Sequence, residues 1–306
     1  MKKRTFTRRD FMTTLAAGTG TVLLGRSAFP FPESSTVVNT DPFQLVTLGK
    51  TGIKTTLLGM GTGVNAINGS AAIIRAGADA AHAVIRKAYD KGIRYFDCAD
   101  SYGTHPYVRD ALKGIPRENY TLTTKIWLGR GGIPGTERPD ANIVIDRFRK
   151  ELDTDYLDIV QIHYMTSAQW TDEYKAQMDI LENLKAKKII RAHGVSVHSS
   201  EAMMAAIESS WVDVVHVRIN PYGEAMDKKD PALVVPLIEK LHKSGKGVIG
   251  MKLIGNGAFQ NDSEKIDASL KYVLGLGTVD MIIVGFEKPE QIDNYTERVI
   301  KALKNK

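Results

Sequence analysis

From about residue 43 to the end of the chain, short apolar runs of β character alternate with amphipathic helical runs, and the cycle repeats eight times. Strands are predicted at roughly 57–61, 94–97, 120–126, 157–163, 190–196, 213–218, 247–252 and 280–284. Helices are predicted between them, at about 79–91, 106–113, 140–153, 173–187, 199–209, 231–244, 264–275 and 288–303. The strand segments are solid apolar runs such as "YLDIVQI" and "DMIIV", as expected of parallel strands buried on both faces. The helical segments carry one-sided stripes. Ala81, Val84, Ile85, Ala88 and Tyr89 share a face, with Asp79 placed to cap the start and Gly92 past the end. Met178, Leu181 and Leu184 form a stripe against Lys175, Glu182 and Lys185. Eight cycles in about 250 residues predict a (β/α)8 barrel. "QLVTLGKTGIKTTLLG" adds an N-terminal β-hairpin around Gly49–Gly52, placed to close the barrel bottom. A doubly wound open sheet is the structural alternative. It gains little, because the early cluster Gly59-Met-Gly-Thr-Gly63 is not a GxGxxG.

In such a barrel the C-terminal strand ends carry the chemistry. The stretch "GIRYFDCADSYG" stops its apolar run at Asp97 and hangs Tyr102 on the loop beyond. The next two strands end with Lys125 and His163. Alone, each has an ordinary explanation: a turn carboxylate, a rim aromatic, a surface lysine, a hydrogen-bonded histidine. Together they describe a general acid aimed at a carbonyl oxygen. On this expectation Lys125 lowers the pKa of Tyr102, Asp97 holds the lysine charged, and His163 orients a substrate carbonyl through its ring N–H.

The net charge of +6 would suit a nucleic-acid partner if it were spread along the chain. It is not: Lys2, Lys3, Arg4, Arg8, Arg9 and Arg26, against Asp10 and Glu33, place +4 of it in residues 1–40. No basic stripe with interleaved aromatics remains, so nucleic acid is excluded as a partner. The lone Cys98 excludes a disulfide framework and a cysteine-rich metal or iron–sulfur site. The basic start, "TRRDFMTTLAAGTGTVLLG", has its own meaning: paired Arg8 and Arg9 precede a short, Gly- and Thr-rich apolar stretch. It resembles a twin-arginine export signal, with Thr7 to Met12 matching the usual pattern. The stretch is too short for a comfortable transmembrane helix, and no cysteine follows it to carry a lipid, so no stable membrane anchor is expected. The expected organisation is a signal peptide at 1–28, a flexible leader at 29–42 and the barrel at 43–306, with the twin-arginine machinery as a partner and a periplasmic or otherwise exported location.

Over residues 43–303 the sequence resembles the aldo-keto reductase family. The segments that carry the likeness are "LGKTGIKTTLLGMGTG", "GIRYFDCADSYG", "TTKIW", "LDIVQIHY", "RAHGVS" and "IIVGFEKPEQ", in family order and spacing. The resemblance implies the barrel, the tetrad Asp97, Tyr102, Lys125 and His163, no metal, and a nicotinamide cofactor, NAD(P)H. In the family the cofactor gives hydride to the carbonyl carbon while the tyrosine protonates the oxygen. It further implies cofactor contacts at Gly61, Thr62, Ser196, His216, Lys252, Glu287, Gln291 and Asn294. Several of these depart from the common family pattern. Ser196 is followed by Val197 and His198 rather than asparagine, His216 stands where glutamine is usual, and Lys252-Leu253-Ile254 replaces Ser-Pro-Leu. Gln291 falls at an adenine contact, and Asn294-Tyr295 replaces a Glu-Asn pair. Lys252 is placed to meet the pyrophosphate. In "VGFEKPEQ" Glu287 occupies a position where relatives that prefer the 2′-phosphate carry a cation, so NADH is expected to be preferred.

Three functions compete at this point. A carbonyl reductase or alcohol dehydrogenase acting on a small aldehyde, ketone or alcohol leads. A low-turnover nicotinamide-binding or regulatory protein on the same fold is second, and the intact Tyr102–Lys125 pair counts against it. An isomerase or sugar hydrolase on a barrel is third; a hydrolase usually needs two opposed carboxylates, and only Asp97 stands out among the strand ends. The loop bearing Trp127, Arg130 and Glu137, with the stretch Tyr164–Trp170, is expected to wall the pocket.

Overall fold

The structure, a computed structural model, describes residues 39–305. The proposed signal and residues 29–38 of the leader lie outside these residues. Ten strands are formed: β1 (Leu45–Thr47), β2 (Lys54–Thr56), β3 (Leu58–Gly61), β4 (Tyr95–Asp97), β5 (Thr121–Ile126), β6 (Leu157–Met165), β7 (Ile190–Val197), β8 (Val214–Arg218), β9 (Gly247–Met251) and β10 (Met281–Gly285). β3 to β10 pair in parallel, each with the next, and the barrel closes where Ile282 to Gly285 of β10 register with Leu58 to Gly61 of β3. The open-sheet alternative is thereby excluded.

β1 and β2 pair antiparallel with Leu45 opposite Thr56. Their turn plugs the bottom of the barrel. Leu48 and Ile53, both fully buried, pack with Tyr95, Ile159, Val214, Ile249 and Met281 from the strands. Gly49 has φ +48°, and a Cβ there would fall 2.4 Å from the carbonyl oxygen of Gly245, so only glycine brings the turn this close. This inner cluster is one layer of the core. The larger layer lies between the strands and the surrounding helices.

The predicted helices all form, with two adjustments. The helix Ala78–Lys91 buries Ala81, Val84, Ile85 and Ala88, but its N-cap is Gly77. Asp79 sits in the first turn instead, where its charge faces the positive end of the helix. The segment predicted as one helix at 173–187 divides at Tyr174 into Trp170–Glu173 and Lys175–Ala186. Trp170 anchors the first piece: its indole is fully buried, donates to the Ala202 carbonyl at 3.2 Å and packs edge-on against Trp211.

One irregularity bears on the site. The register of β6 against β7 shifts between Ile162 and Met165, a bulge that takes in His163 and Tyr164. Tyr164 adopts φ +67°, and its amide, displaced from the ladder, donates to the buried Ser196 hydroxyl at 2.9 Å. The bulge re-aims both side chains at the mouth.

Candidate active site

At the C-terminal mouth, Asp97 ends β4 and Lys125 lies near the end of β5. The two meet at 2.5 Å, both almost completely buried. Lys125 Nζ also donates to the Cys98 carbonyl at 3.0 Å. His216, from β8, brings Nε2 to 3.2 Å from the same Asp97 oxygen. Burial alone would raise the Asp97 pKa, but Lys125 and His216 outweigh it and hold the carboxyl at about 2. The aspartate is therefore a fixed negative charge that anchors the lysine.

Tyr102 is carried on a short turn, Asp100–Tyr102, closed by Gly103 with φ +69°. Its ring lies directly on Gly63; a Cβ at that position would stand 2.3 Å from the ring. Lys125 Nζ is 5.1 Å from the ring centroid, and His163 meets the ring edge-on with centroids 5.6 Å apart. The four side chains of the expected tetrad are thus brought together. The expected effect on the phenol is not what the structure shows. Enclosure raises the Tyr102 pKa well above its ordinary value, and the nearby Asp97 charge adds to the rise. The physical reason is burial, which penalises the phenolate, while Lys125 is paired with Asp97. Tyr102 is a neutral phenol, with its proton in place. His163 is also neutral: burial, with Lys125 nearby, drives its pKa well below the usual imidazole value. Its Nδ1 faces the Ser101 hydroxyl at 3.4 Å.

A cleft of about 420 Å³ runs from Asp97 and Tyr102 across the ends of β9 and β10. Of the residues expected to contact a cofactor, Gly61, Lys252, Glu287, Gln291 and Asn294 line it. Thr62, Ser196 and His216 do not. Thr62 donates to the Asp97 carbonyl at 2.8 Å and joins the Thr104 hydroxyl at 2.7 Å, tying two strand-end loops together. Ser196 holds the bulge, and His216 holds Asp97. Gln291 has a structural task besides: its Oε1 accepts from the backbone N–H groups of Glu287 at 2.7 Å and Lys288 at 3.0 Å, before the helix Pro289–Lys304.

The cleft suits an extended nucleotide. Gly61 offers bare backbone, and a Cβ built there finds nothing nearer than 3.8 Å. Lys252, with φ +61°, presents its ammonium near the middle of the cleft, where Asn256 Oδ1 accepts from it at 2.5 Å. Burial, with Arg218 and Lys125 nearby, draws the Lys252 pKa down to about 8. Arg298 also lines the cleft and went unrecognised in the sequence. Its guanidinium pairs with Asp267, and its Nε donates to Asn294 at 2.8 Å.

On the other side of the mouth the walls are aromatic. Trp127 stands 5.2 Å from His163 and 5.8 Å from Tyr164, ring to ring, and Tyr164 lies 4.1 Å from His198. Arg130 and Glu137, expected beside Trp127, are exposed to solvent, and Trp170 belongs to the outer core. Among the described residues, no group of three His, Cys, Asp or Glu side chains is placed to hold a metal ion, and no helix is long and apolar enough to cross a membrane.

Comparison with known proteins agrees with this geometry. A 9,11-endoperoxide prostaglandin H2 reductase from Trypanosoma cruzi is 34% identical over 122 residues, covering 39% of this chain and 40% of that protein. The matches to the human aldo-keto reductase family 1 member A1 and its mammalian counterparts likewise span about half of those proteins' length. Among solved structures, the aldo-keto reductase AKR11C1 from Bacillus halodurans shares the fold with a TM-score of 0.67 at 18% identity, covering 86% of this chain and 95% of that one. An aldo/keto reductase from Klebsiella pneumoniae, solved with NADP and acetate, gives 0.60 at 19% identity, covering 85% and 89%. The sequence profile described as the aldo/keto reductase family matches residues 58–268, and with the tetrad in place at the mouth of a closed parallel barrel, the chain belongs to that family.

Proposed function

We propose that the protein reduces a small aldehyde or ketone to an alcohol, or runs the reverse oxidation, with a nicotinamide cofactor. One observation carries this: the neutral phenol of Tyr102 stands where the nucleotide-sized cleft meets the aromatic mouth. When bound, the cofactor supplies the hydride. Gly61, Lys252, Gln291 and Asn294 would hold it, with Lys252 at the pyrophosphate. Tyr102 presents its O–H to the carbonyl oxygen, and the neutral His163 beside it supports the same oxygen through a ring N–H. Lys125 and Asp97 fix the polar floor beneath the ring. The aromatic walls exclude water from the reacting carbon. Titration of the purified protein with each reduced nicotinamide, followed by a panel of carbonyl compounds, tests the proposal. Saturable cofactor binding with no turnover of any carbonyl would leave a binding protein instead.

Two finer parts belong to the same reading. NADH is preferred over NADPH, because the carboxylates of Glu287 and Glu290 line the cleft while Lys288 does not. The protein is exported by the twin-arginine machinery and works in the periplasm or beyond. This rests on Arg8, Arg9 and the short apolar run after them. Export of a folded chain by that route fits a cofactor enzyme, which can leave the cytoplasm with its nucleotide bound.

A further inference from the structure

The part of the mouth outside the cofactor cleft is a continuous arc of rings that ends in a cation. From Tyr102 it passes through His163, Trp127, Tyr164 and His198, each within 5.8 Å of the ring before it. Arg218, at the end of β8, completes it. Its Cζ lies 5.9 Å from the Tyr164 ring centroid, and its Nη2 donates to His198 Nδ1.

The polar atoms along this arc share one character. Because Nδ1 of His198 accepts from an arginine, that ring is neutral and its Nε2 carries the proton. His198 Nε2 is enclosed without a partner, and so are Trp127 Nε1 and Arg218 Nε. All three are donors, and a buried donor left unpaired is costly. Among the described residues, no carboxylate lies within 4.0 Å of Arg218, nor of Lys252 just past the neighbouring strand β9, where Met251 registers with Arg218. A neutral carbonyl substrate has no use for a permanent cation with an idle N–H. A carboxylate does: it accepts from the free N–H groups of Arg218, whose planar fork matches its two oxygens.

We propose that the substrate of this site is a carbonyl compound bearing a carboxylate, which Arg218, held in place by His198 Nδ1, reads. The inference rests on the reductase function proposed above and names its substrate class. The arc fixes the geometry of recognition: the carbonyl lies at Tyr102 and His163, the carboxylate at the far end, and an aromatic or short aliphatic spacer between them.

The test compares 4-carboxybenzaldehyde with its methyl ester in the wild-type protein, R218A and R218K, and measures benzoate binding by calorimetry in parallel. The wild type is expected to favour the acid in kcat/KM by roughly 10–100-fold, the range of a charge-assisted hydrogen bond. R218A should lose most of that ratio, mainly through KM. R218K should keep part of it, because a point charge survives but the fork does not. Turnover of both aldehydes with a wild-type ratio near one overturns the proposal and leaves the reductase function standing. Benzoate binding that depends on Arg218, with neither aldehyde reduced, keeps the anion site and rejects the reductase function. Absence of both rejects both. Should R218A lose as much affinity for the reduced nicotinamide as for benzoate, Arg218 serves the cofactor and the proposal falls.

Discussion

Lys125 and Asp97 lie 2.5 Å apart with almost no exposure to solvent, while the lysine's ammonium stays 5.1 Å from the centre of the Tyr102 ring. The pair is thus first a buried ion pair and only then a neighbour of the phenol. Breaking such a pair by removing one partner strands a charge, typically at a cost of about 3–5 kcal/mol. Lys125→Met should fall at the low end, because His216 at 3.2 Å can take up a proton and partly neutralise Asp97. Adding Asp97→Asn should restore most of the loss. Urea unfolding of the single and double variants at neutral pH checks this. A double variant less stable than Lys125→Met would mean that the pair is not the unit described.

Tyr102→Phe should remove the proton donor and leave the ring against Gly63. Turnover should drop by roughly 10²–10⁴-fold, the usual worth of a general acid, with cofactor affinity close to that of the wild type. Because the phenol pKa is raised, the wild-type reduction should show no loss of its acid up to about pH 9. Single-turnover measurements isolate the chemical step. Retention of more than about a tenth of the rate would assign the proton to another group.

The barrel was legible because eight apolar runs of strand length alternate with one-faced helices, and few folds accept that pattern. The tetrad was legible because Asp97, Lys125 and His163 each sit at a strand end, where position along the strand already places the side chain. What stayed hidden depends on neighbours far away in sequence. Ser196 reads as a cofactor contact until the β6 bulge shows an amide in need of an acceptor. His216 reads the same way until Asp97 is found beside it. Arg298 gave no local signal at all. It lies on the third turn of the last helix, and only packing against the helix Ser263–Gly275 turns it toward the cleft. The direction of the Tyr102 pKa was misread for a related reason: the sequence places Lys125 and Asp97 nearby but does not show how completely the folded chain encloses the phenol.

With Lys252 at the proposed pyrophosphate position, cofactor binding should depend on pH in a defined direction. Its free-state pKa of about 8 means that the ammonium is lost as pH rises through that value. A bound pyrophosphate would favour the charged form and raise the pKa, so binding takes up a proton between the two values. Affinity for the reduced nicotinamide should therefore be highest below about pH 7.5 and decline above pH 8. Lys252→Met should bind more weakly and flatten this dependence. Fluorescence titrations from pH 6.5 to 9.5 provide the measurement, and an unchanged slope in the variant would remove Lys252 from the pyrophosphate.

Arg8→Lys combined with Arg9→Lys should hold the protein in the cytoplasm of a bacterial host that has the twin-arginine system. The substitution keeps the charge, so a merely basic tail would not notice it, whereas a receptor that reads the arginine pair would. Fractionation with a cytoplasmic marker decides it. Undiminished protein in the periplasmic fraction of the double variant would reject this route.

The proposed preference for NADH rests on which side chain reaches the cleft after β10. Glu287 and Glu290 line it, and the exposed Lys288, one residue on, does not. Arg298 is the one cation at this end of the cleft among the described residues, and Asp267 and Asn294 already engage it. A carboxylate accepts hydrogen bonds from a ribose diol but repels a 2′-phosphate. At an effective dielectric of about 20, unit charges 4 Å apart interact by roughly 4 kcal/mol. Solvent screening reduces this to about 1–2 kcal/mol, or on the order of 5–30-fold in affinity. Glu287→Gln should therefore narrow the gap by improving NADPH binding rather than by weakening NADH. Lys288→Ala should change the ratio little. Equilibrium titrations of both cofactors at low and moderate salt separate the cases, since the repulsion should fade as salt rises. Tighter binding of NADPH by the wild type, lost in Lys288→Ala, would mean that the lysine turns into the cleft and Glu287 out of it.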